Sequence, residues 1–335
     1  MTAADEIIPP AARPDFLAAD DVETRLVQAM NAGALANGWL ITGGEGIGKA
    51  TLAFRLARAL LWTDRPAKAT SLEVPESARA FSLVASGAHP DLFVAARAYD
   101  EKKGRYAAEI SVDTIRDLTH FLNHTASMGG WRVAIVDTAE DLNRNSANAL
   151  LKALEEPPPR TAIFVLSAAP GRLLATIRSR CRRIDLRPLS DEAVAAFLER
   201  ESAAKTSEAI RIAGVAGGRP GFALSLALGD GAEAVETVEE FWAIARAGGD
   251  VSAIAQRLAA KSADGVWPLF RAMLVSRLAQ AAKDDALTHG AFADRIVDLR
   301  EEVDTLFTRG DAVNLDRAQM VMAAGRAFGP GFAAA

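Results

Sequence analysis

The sequence predicts an α/β domain, a parallel sheet with helices on both faces, followed by an all-helical second half. Three observations carry this. Short, continuous apolar runs rich in β-branched residues alternate with segments of helical periodicity through the first half. A glycine loop, GGEGIGKAT (43–51), joins one such run to a helix. After Pro188 alanine and leucine recur at helical spacing, and strand-like runs cease. Strands buried on both faces of a parallel sheet read as continuous apolar runs, and their alternation with helices marks a doubly wound domain.

In order along the chain, WLIT (39–42) reads as a strand and TLAFRLARALLW (51–62) as the helix after the loop. DLFVAA (91–96) reads as a strand, and SVDTIRDLTHFLNHTA (111–126) as a helix with Ile115, Leu118, Phe121 and Leu122 on one face. RVAIVD (132–137) and AIFVLS (162–167) are two further buried strands. Between them, Ala147, Leu150, Leu151 and Leu154 fall at i, i+3, i+4, i+7, a helix with one buried stripe. It must stop near Glu156, because three prolines follow. SDEAVAAFLER, SEAIRIAGVA and PGFALSLAL are helical, punctuated by glycines at 217, 218, 221, 229 and 231. From about 236 onward everything reads as amphipathic helix, for example VWPLFRAMLVSRLAQAAK (266–283).

Composition narrows the function. The chain has 335 residues, enough for two or three domains, with 50% apolar and 24% charged residues. A net charge of −5 argues against a protein that binds nucleic acid strongly on its own. The single cysteine, Cys181, excludes a disulfide framework or thiolate zinc site within the chain. No apolar stretch approaches the roughly 20 residues that span a bilayer. The start, MTAADEIIPPAARPDF, is acidic and broken by proline, unlike a signal peptide. A cytoplasmic protein without membrane partners is the expectation.

The loop fits G-x-x-x-x-G-K-[S/T] from Gly43 to Lys49, with Gly46 and Gly48 inside it. Its bland reading is a glycine-rich turn beside a stray lysine. Its place between a strand and a helix favours a phosphate cradle instead, with backbone N–H groups and Lys49 facing an anion. The eighth position, which should carry a Mg²⁺-holding hydroxyl, is Ala50. Thr51 comes one residue late, about 100° around the helix, and cannot simply substitute. Asp137, ending a neighbouring strand, is placed for a metal, but the next residue is Thr138. Threonine is no general base at neutral pH, and Glu140 and Asp141 lie on the following turn.

The stretches GAHPDLFVAA, ISVDTIRDL, NALLKALEEPP and SRC (179–181), with the degenerate loop, resemble the clamp-loader subunits of the AAA+ class. The resemblance is strongest to their delta-prime branch in bacterial DNA polymerase III. It covers most of residues 12–230 and more loosely the helical remainder. It implies a nucleotide-fold domain over 1–187, a helical lid over 188–232 and an oligomerising collar over 233–335. It implies that Arg180, between Ser179 and Cys181, reaches into a neighbouring subunit's ATP site, while Arg178, Arg182 and Arg183 are solvated or structural. Cys181 reads as a small buried hydrophobe rather than a nucleophile.

The implied partners are the gamma/tau and delta subunits and, through the complex, the sliding clamp and primed DNA. No cofactor is required by this reading, and whether ATP or ADP occupies the degenerate loop stays open. Many family members carry a cysteine zinc module before the H-P-D segment; residues 63–88 here hold no cysteine, so no zinc is expected. His120 and His124 are four apart, with nothing to complete a metal site. The lid arginine with which motor subunits sense nucleotide would fall near Gly221, with Arg219 two residues off. The rival readings are an ATP-hydrolysing gamma/tau-like motor, a small-molecule P-loop kinase and an independent DNA-binding protein.

Overall fold

The computed structural model describes residues 7–18, 21–100, 105–202, 205–228, 230–288, 290–313 and 315–329. The first residues of the acidic start, Gly229 and the last residues of the chain lie outside these. Two compact units emerge, divided between Leu189 and Ser190.

The strands of the first unit are β1 (Gly38–Thr42), β2 (Leu92–Ala95), β3 (Tyr99–Asp100), β4 (Arg105–Tyr106), β5 (Arg132–Val136), β6 (Thr161–Ser167) and β7 (Arg182–Asp185). Its helices are α1 (Val22–Asn31), α2 (Lys49–Leu61), α3 (Arg79–Ala85), α4 (Val112–Asn123), α5 (Arg144–Glu155) and α6 (Ala175–Arg180). Five strands form one sheet in the order β2-β5-β6-β1-β7, and every pairing in it is parallel. β3 and β4 form a separate antiparallel pair.

Every residue of β5 and β6 is buried. Side chains alternate between two cores, as strand geometry requires. Trp39, Ile41, Val133, Ile135, Ala162, Phe164 and Leu166 face the core that also holds α1, α2 and α3. Leu40, Ala134, Val136, Ile163 and Val165 face the core that holds α4, α5 and α6. Local signals set the helix ends. Ser111 caps α4 by accepting from the Thr114 N–H, and Asn143 caps α5 by accepting from Asn145 and Ser146. α5 ends at Glu155, two residues before Pro157, as the proline run predicts.

The H-P-D segment has a structural task. The Asp91 N–H donates to His89 Nδ1 at 3.1 Å, and the Asp91 carboxylate accepts from Ser127 and Met128 N–H at 2.6 and 2.9 Å. This ties the start of β2 to the loop before β5.

An irregular strap, residues 11–18, has no signal in the sequence and lies along α2. Arg58, only 1% exposed, donates to the Ala11 and Arg13 carbonyls at 2.6 and 2.5 Å and lies over the Phe81 ring. Arg55 donates to the Pro14 carbonyl and pairs with Glu23 at 2.9 Å. Burial, with the neighbouring Arg55 charge, pulls Arg58 down to about 10.

The second unit is helical: α7 (Asp191–Glu201), α8 (Thr206–Ala216), α9 (Pro220–Ala227), α10 (Gly231–Arg246), α11 (Ser252–Ala259), α12 (Val266–Leu287), α13 (Ala293–Ala312) and α14 (Arg317–Phe328). Its core is a run of edge-to-face rings, Phe241 with Phe270 and Phe328, and Trp267 with Phe307. Among the described residues, no helix is long and apolar enough to cross a membrane.

Two outcomes are expected. Arg58→Met should cost about 2–4 kcal/mol, by freeing the strap and leaving its carbonyls without their charged donor. A urea midpoint equal to wild type would show that the strap contributes nothing to stability. The second concerns pH. Burial holds His89 below the usual histidine range, against the opposing pull of Asp91 and with help from Arg79. The unfolded imidazole protonates first, so stability should fall as pH drops below about 6.5. His89→Asn keeps an acceptor for the Asp91 N–H and should flatten that loss in melts from pH 7 to 5.

Candidate functional site: a phosphate loop and a paired arginine

The loop follows from where β1 ends and α2 begins. The Gly43 N–H donates to the Ser167 carbonyl at 3.3 Å, continuing the β1–β6 ladder. Gly43 has φ 144°, and a Cβ there would lie 2.9 Å from the Ile47 side chain and 3.1 Å from the Leu186 carbonyl. Gly48 has φ 106°, and a Cβ there would lie 3.1 Å from the Phe16 ring of the strap. Both positions therefore require glycine. Gly46, at φ 74°, sits on the exposed rim.

No side chain caps the first turn of α2, so its amide end faces the loop. Lys49 Nζ donates to the Gly43 and Gly44 carbonyls at 2.7 and 3.0 Å, holding the ammonium over the loop.

Ala50, Thr51, Asp137 and Thr138 stand where metal-holding and water-activating groups are expected from the sequence. Ala50 supplies no oxygen. Thr51 is 9% exposed and belongs to the buried face of α2. Asp137 follows β5, and burial raises its carboxyl above the usual range, against the nearby Lys49 charge. Thr138 is exposed and holds φ 63°, a backbone region that disfavours β-branched residues. The neighbouring carboxylates are engaged elsewhere. Glu140 accepts from the Ala168 and Ala169 N–H groups at 2.6 and 2.9 Å, and Asp141 pairs with Arg97 at 2.9 Å.

Arg180 lies at the other edge of the sheet. β7 pairs with β1 so that Trp39 faces Arg182 and Thr42 faces Asp185. Arg180 precedes β7 and is therefore at the amino ends of the strands, whereas Gly43–Lys49 follows the carboxyl end of β1. At about 3.3 Å per strand residue, the length of β1 alone separates the two by roughly 13 Å. Its guanidinium is partly exposed yet engaged within the chain. Nη2 contacts Glu155 Oε1 at 2.7 Å, and Nη1 donates to the Thr176 carbonyl at 3.2 Å. Ser179 Oγ donates to the same carbonyl at 3.1 Å. Cys181 is buried, and burial pushes its thiol up to about 11.

The other arginines have local duties. Arg178 lies 3.4 Å from the Pro170 carbonyl, Arg182 over the Trp39 ring, and Arg183 2.6 Å from Asp185. Arg219 donates to the Ala216 carbonyl and Ser276 Oγ and stacks on Phe222, all within the second unit. His120 and His124 contact each other at 3.1 Å on the exposed side of α4. No cluster of metal-ligating side chains occurs among the described residues.

A parallel sheet ordered β2-β5-β6-β1-β7, with a glycine loop between β1 and α2, defines a P-loop domain of the AAA+ class. A family model described as "DNA polymerase III, delta subunit" matches residues 18–190. The chain is 35% identical over 241 residues to DNA polymerase III subunit delta' of Escherichia coli K12, covering 72% of this chain and 67% of that one. It is 44% identical over 146 residues to subunit delta' of Pseudomonas aeruginosa, covering 44% of this chain and 42% of that one. It is 30% identical over 185 residues to the E. coli tau subunit, covering 55% of this chain and 27% of that one. The chain belongs to the DNA polymerase III delta-prime family of clamp-loader subunits.

With its thiol near 11, Cys181 should resist a maleimide at pH 8 in the folded protein and react once urea unfolds it. Rapid labelling of native protein would overturn the buried assignment.

Proposed function

We propose that this chain is the non-hydrolysing delta-prime subunit of a DNA polymerase III clamp loader, working in DNA replication in the cytoplasm. It lends Arg180 to the ATP site of an adjacent gamma/tau-type subunit. With a delta subunit, the assembly opens a sliding clamp and closes it on primed DNA. Residues 188–232 serve as the lid and 233–335 as the collar that joins the subunits. The observation that carries this reading is the sheet geometry: Arg180 and the chain's own phosphate loop stand at opposite ends of β1. An arginine there cannot serve its own loop and suits a neighbour's nucleotide.

Chemistry supports the assignment. Guanidinium is planar, permanently charged and bidentate toward phosphate. Aimed at the transferring phosphoryl group, it stabilises charge that develops in the transition state. The chain's own loop keeps the cradle and Lys49 but lacks a hydroxyl at Ala50 and a base at Thr138, so no independent ATP turnover follows.

The test is to reconstitute the loader and measure ATPase stimulated by DNA and clamp. Arg180→Ala should assemble normally yet slow turnover at the site it serves by up to roughly 10³-fold. Arg180→Lys should rescue poorly, and Lys49→Ala should leave the rate near wild type. If Arg180→Ala is silent while Lys49→Ala abolishes activity, the chain is itself a motor and the reading fails.

A further inference from the structure

The residue that holds Arg180 stands outside the S-R-C motif, on another helix. Glu155 is the last residue of α5, and the proline run from Pro157 fixes where that helix ends. Arg180 is the last residue of α6. The two helix ends meet: Glu155 Oε1 is 2.7 Å from Arg180 Nη2, and the Thr176 carbonyl takes Nη1 at 3.2 Å. The guanidinium is thus held from two sides through both terminal nitrogens.

What this contact does follows from its magnitude. The side chains are 35% and 46% exposed. Exposed pairs of this kind contribute about 0–1 kcal/mol to stability, too little to matter for the fold. Their effect on order is larger in proportion. A free arginine side chain carries about 2 kcal/mol of rotamer entropy, which any contact with phosphate must overcome. A short, charge-assisted contact to a fixed helix end removes part of that cost beforehand. It does not exhaust the guanidinium, which has five N–H donors: one goes to the Thr176 carbonyl, and Glu155 adds an ion pair at Nη2. Further donors are available to an anion.

We propose that Glu155 is a positioning residue for Arg180: its carboxylate holds the guanidinium in the orientation in which it meets the phosphates of a neighbouring subunit's nucleotide. This rests on the reading of Arg180 as a finger acting in trans. Glu155 itself touches no substrate. It acts by keeping the arginine ordered, so its loss should appear in turnover rather than in nucleotide affinity.

The experiment uses the reconstituted loader carrying Glu155→Gln, Glu155→Ala, Arg180→Ala and the double variant Glu155→Ala/Arg180→Ala, with ATP, clamp and primed DNA. Glu155→Gln keeps an acceptor of the same shape and loses the charge. It should lower kcat about threefold, and Glu155→Ala about tenfold, each with KM for ATP unchanged. Melting temperature and assembly should match wild type in both. The double variant should be no slower than Arg180→Ala alone, because one residue acts through the other.

Wild-type turnover in Glu155→Ala, beside a slow Arg180→Ala, would overturn the positioning role and leave the finger intact. Faster turnover in Glu155→Ala would make the contact a restraint, and an additive loss in the double variant would make Glu155 independent of Arg180; either result overturns the proposal. Should Glu155→Ala fail to assemble, Glu155→Gln decides alone, and wild-type kcat there counts against it. A silent Arg180→Ala would instead sink the finger reading beneath it.

Discussion

Strands β5 and β6 are buried along their whole length, and β1 from Trp39 onward, with apolar side chains entering a core on each face. Everything else in the first unit depends on this. Each of Phe164, Ile163, Val165 and Leu40 leaves water with a gain of about 1.5–3 kcal/mol, and a one-residue slip would send every side chain to the opposite core. Register is therefore fixed, and with it which residues sit at which edge. The strands all run one way, so the carboxyl edge collects Gly43, Asp137 and the Glu140 clasp on Ala168 and Ala169. The amino edge collects Arg180, Cys181 and the end of α5. The same sheet sets the glycine loop and Arg180 at opposite ends of its strands.

The cradle also depends on a segment far from it in sequence. Arg55 and Arg58 lie along α2, the helix that the loop opens, and together grip the backbone of residues 11–14. Taking two guanidinium groups out of water is costly. Carbonyl acceptors, Glu23 and the Phe81 ring offset that cost, although the depressed Arg58 shows that the offset is incomplete. The result is local: the strap brings Phe16 onto Gly48, where a Cβ would lie a tight 3.1 Å from the ring. The backbone angle demands glycine there, and the close ring adds to the preference.

Much of this was legible in the sequence, for identifiable reasons. β1, β5 and β6 announce themselves as apolar runs because their side chains meet core on both faces, and the edge strand β2 does so although only Ala95 is fully buried. α5 shows its stripe because only one face is buried. The loop is legible because glycine at Gly43 and Gly48 answers a local backbone demand. β7 was missed because an edge strand reading RRID buries one residue, Ile184, and shows no apolar run. The β3–β4 pair is too short to carry a period. The strap has none either, being held by carbonyls that any residue supplies. Glu155 stood in view within the LEEPPP segment, but its partner is contributed by another helix, and no spacing rule reports a contact across the fold.

The degenerate loop is best understood through the competing demands on its residues. Gly43 continues the β1–β6 ladder, Ile47 joins the core, and Gly48 receives Phe16. These tasks belong to folding, and they preserve the shape of a phosphate cradle whether or not chemistry happens there. Nothing in packing demands a hydroxyl at Ala50 or a carboxylate at Thr138, so those positions are free to differ. Of the nearby carboxylates, Glu140 is held through one oxygen by two backbone N–H groups and Asp141 pairs with Arg97. Withdrawing Glu140 would remove the acceptor that holds the exposed Ala168 N–H and the half-buried Ala169 N–H just after β6. Fold and hydrolysis therefore draw on separate residues around the loop, and a chain of this fold can lose the second while keeping the first.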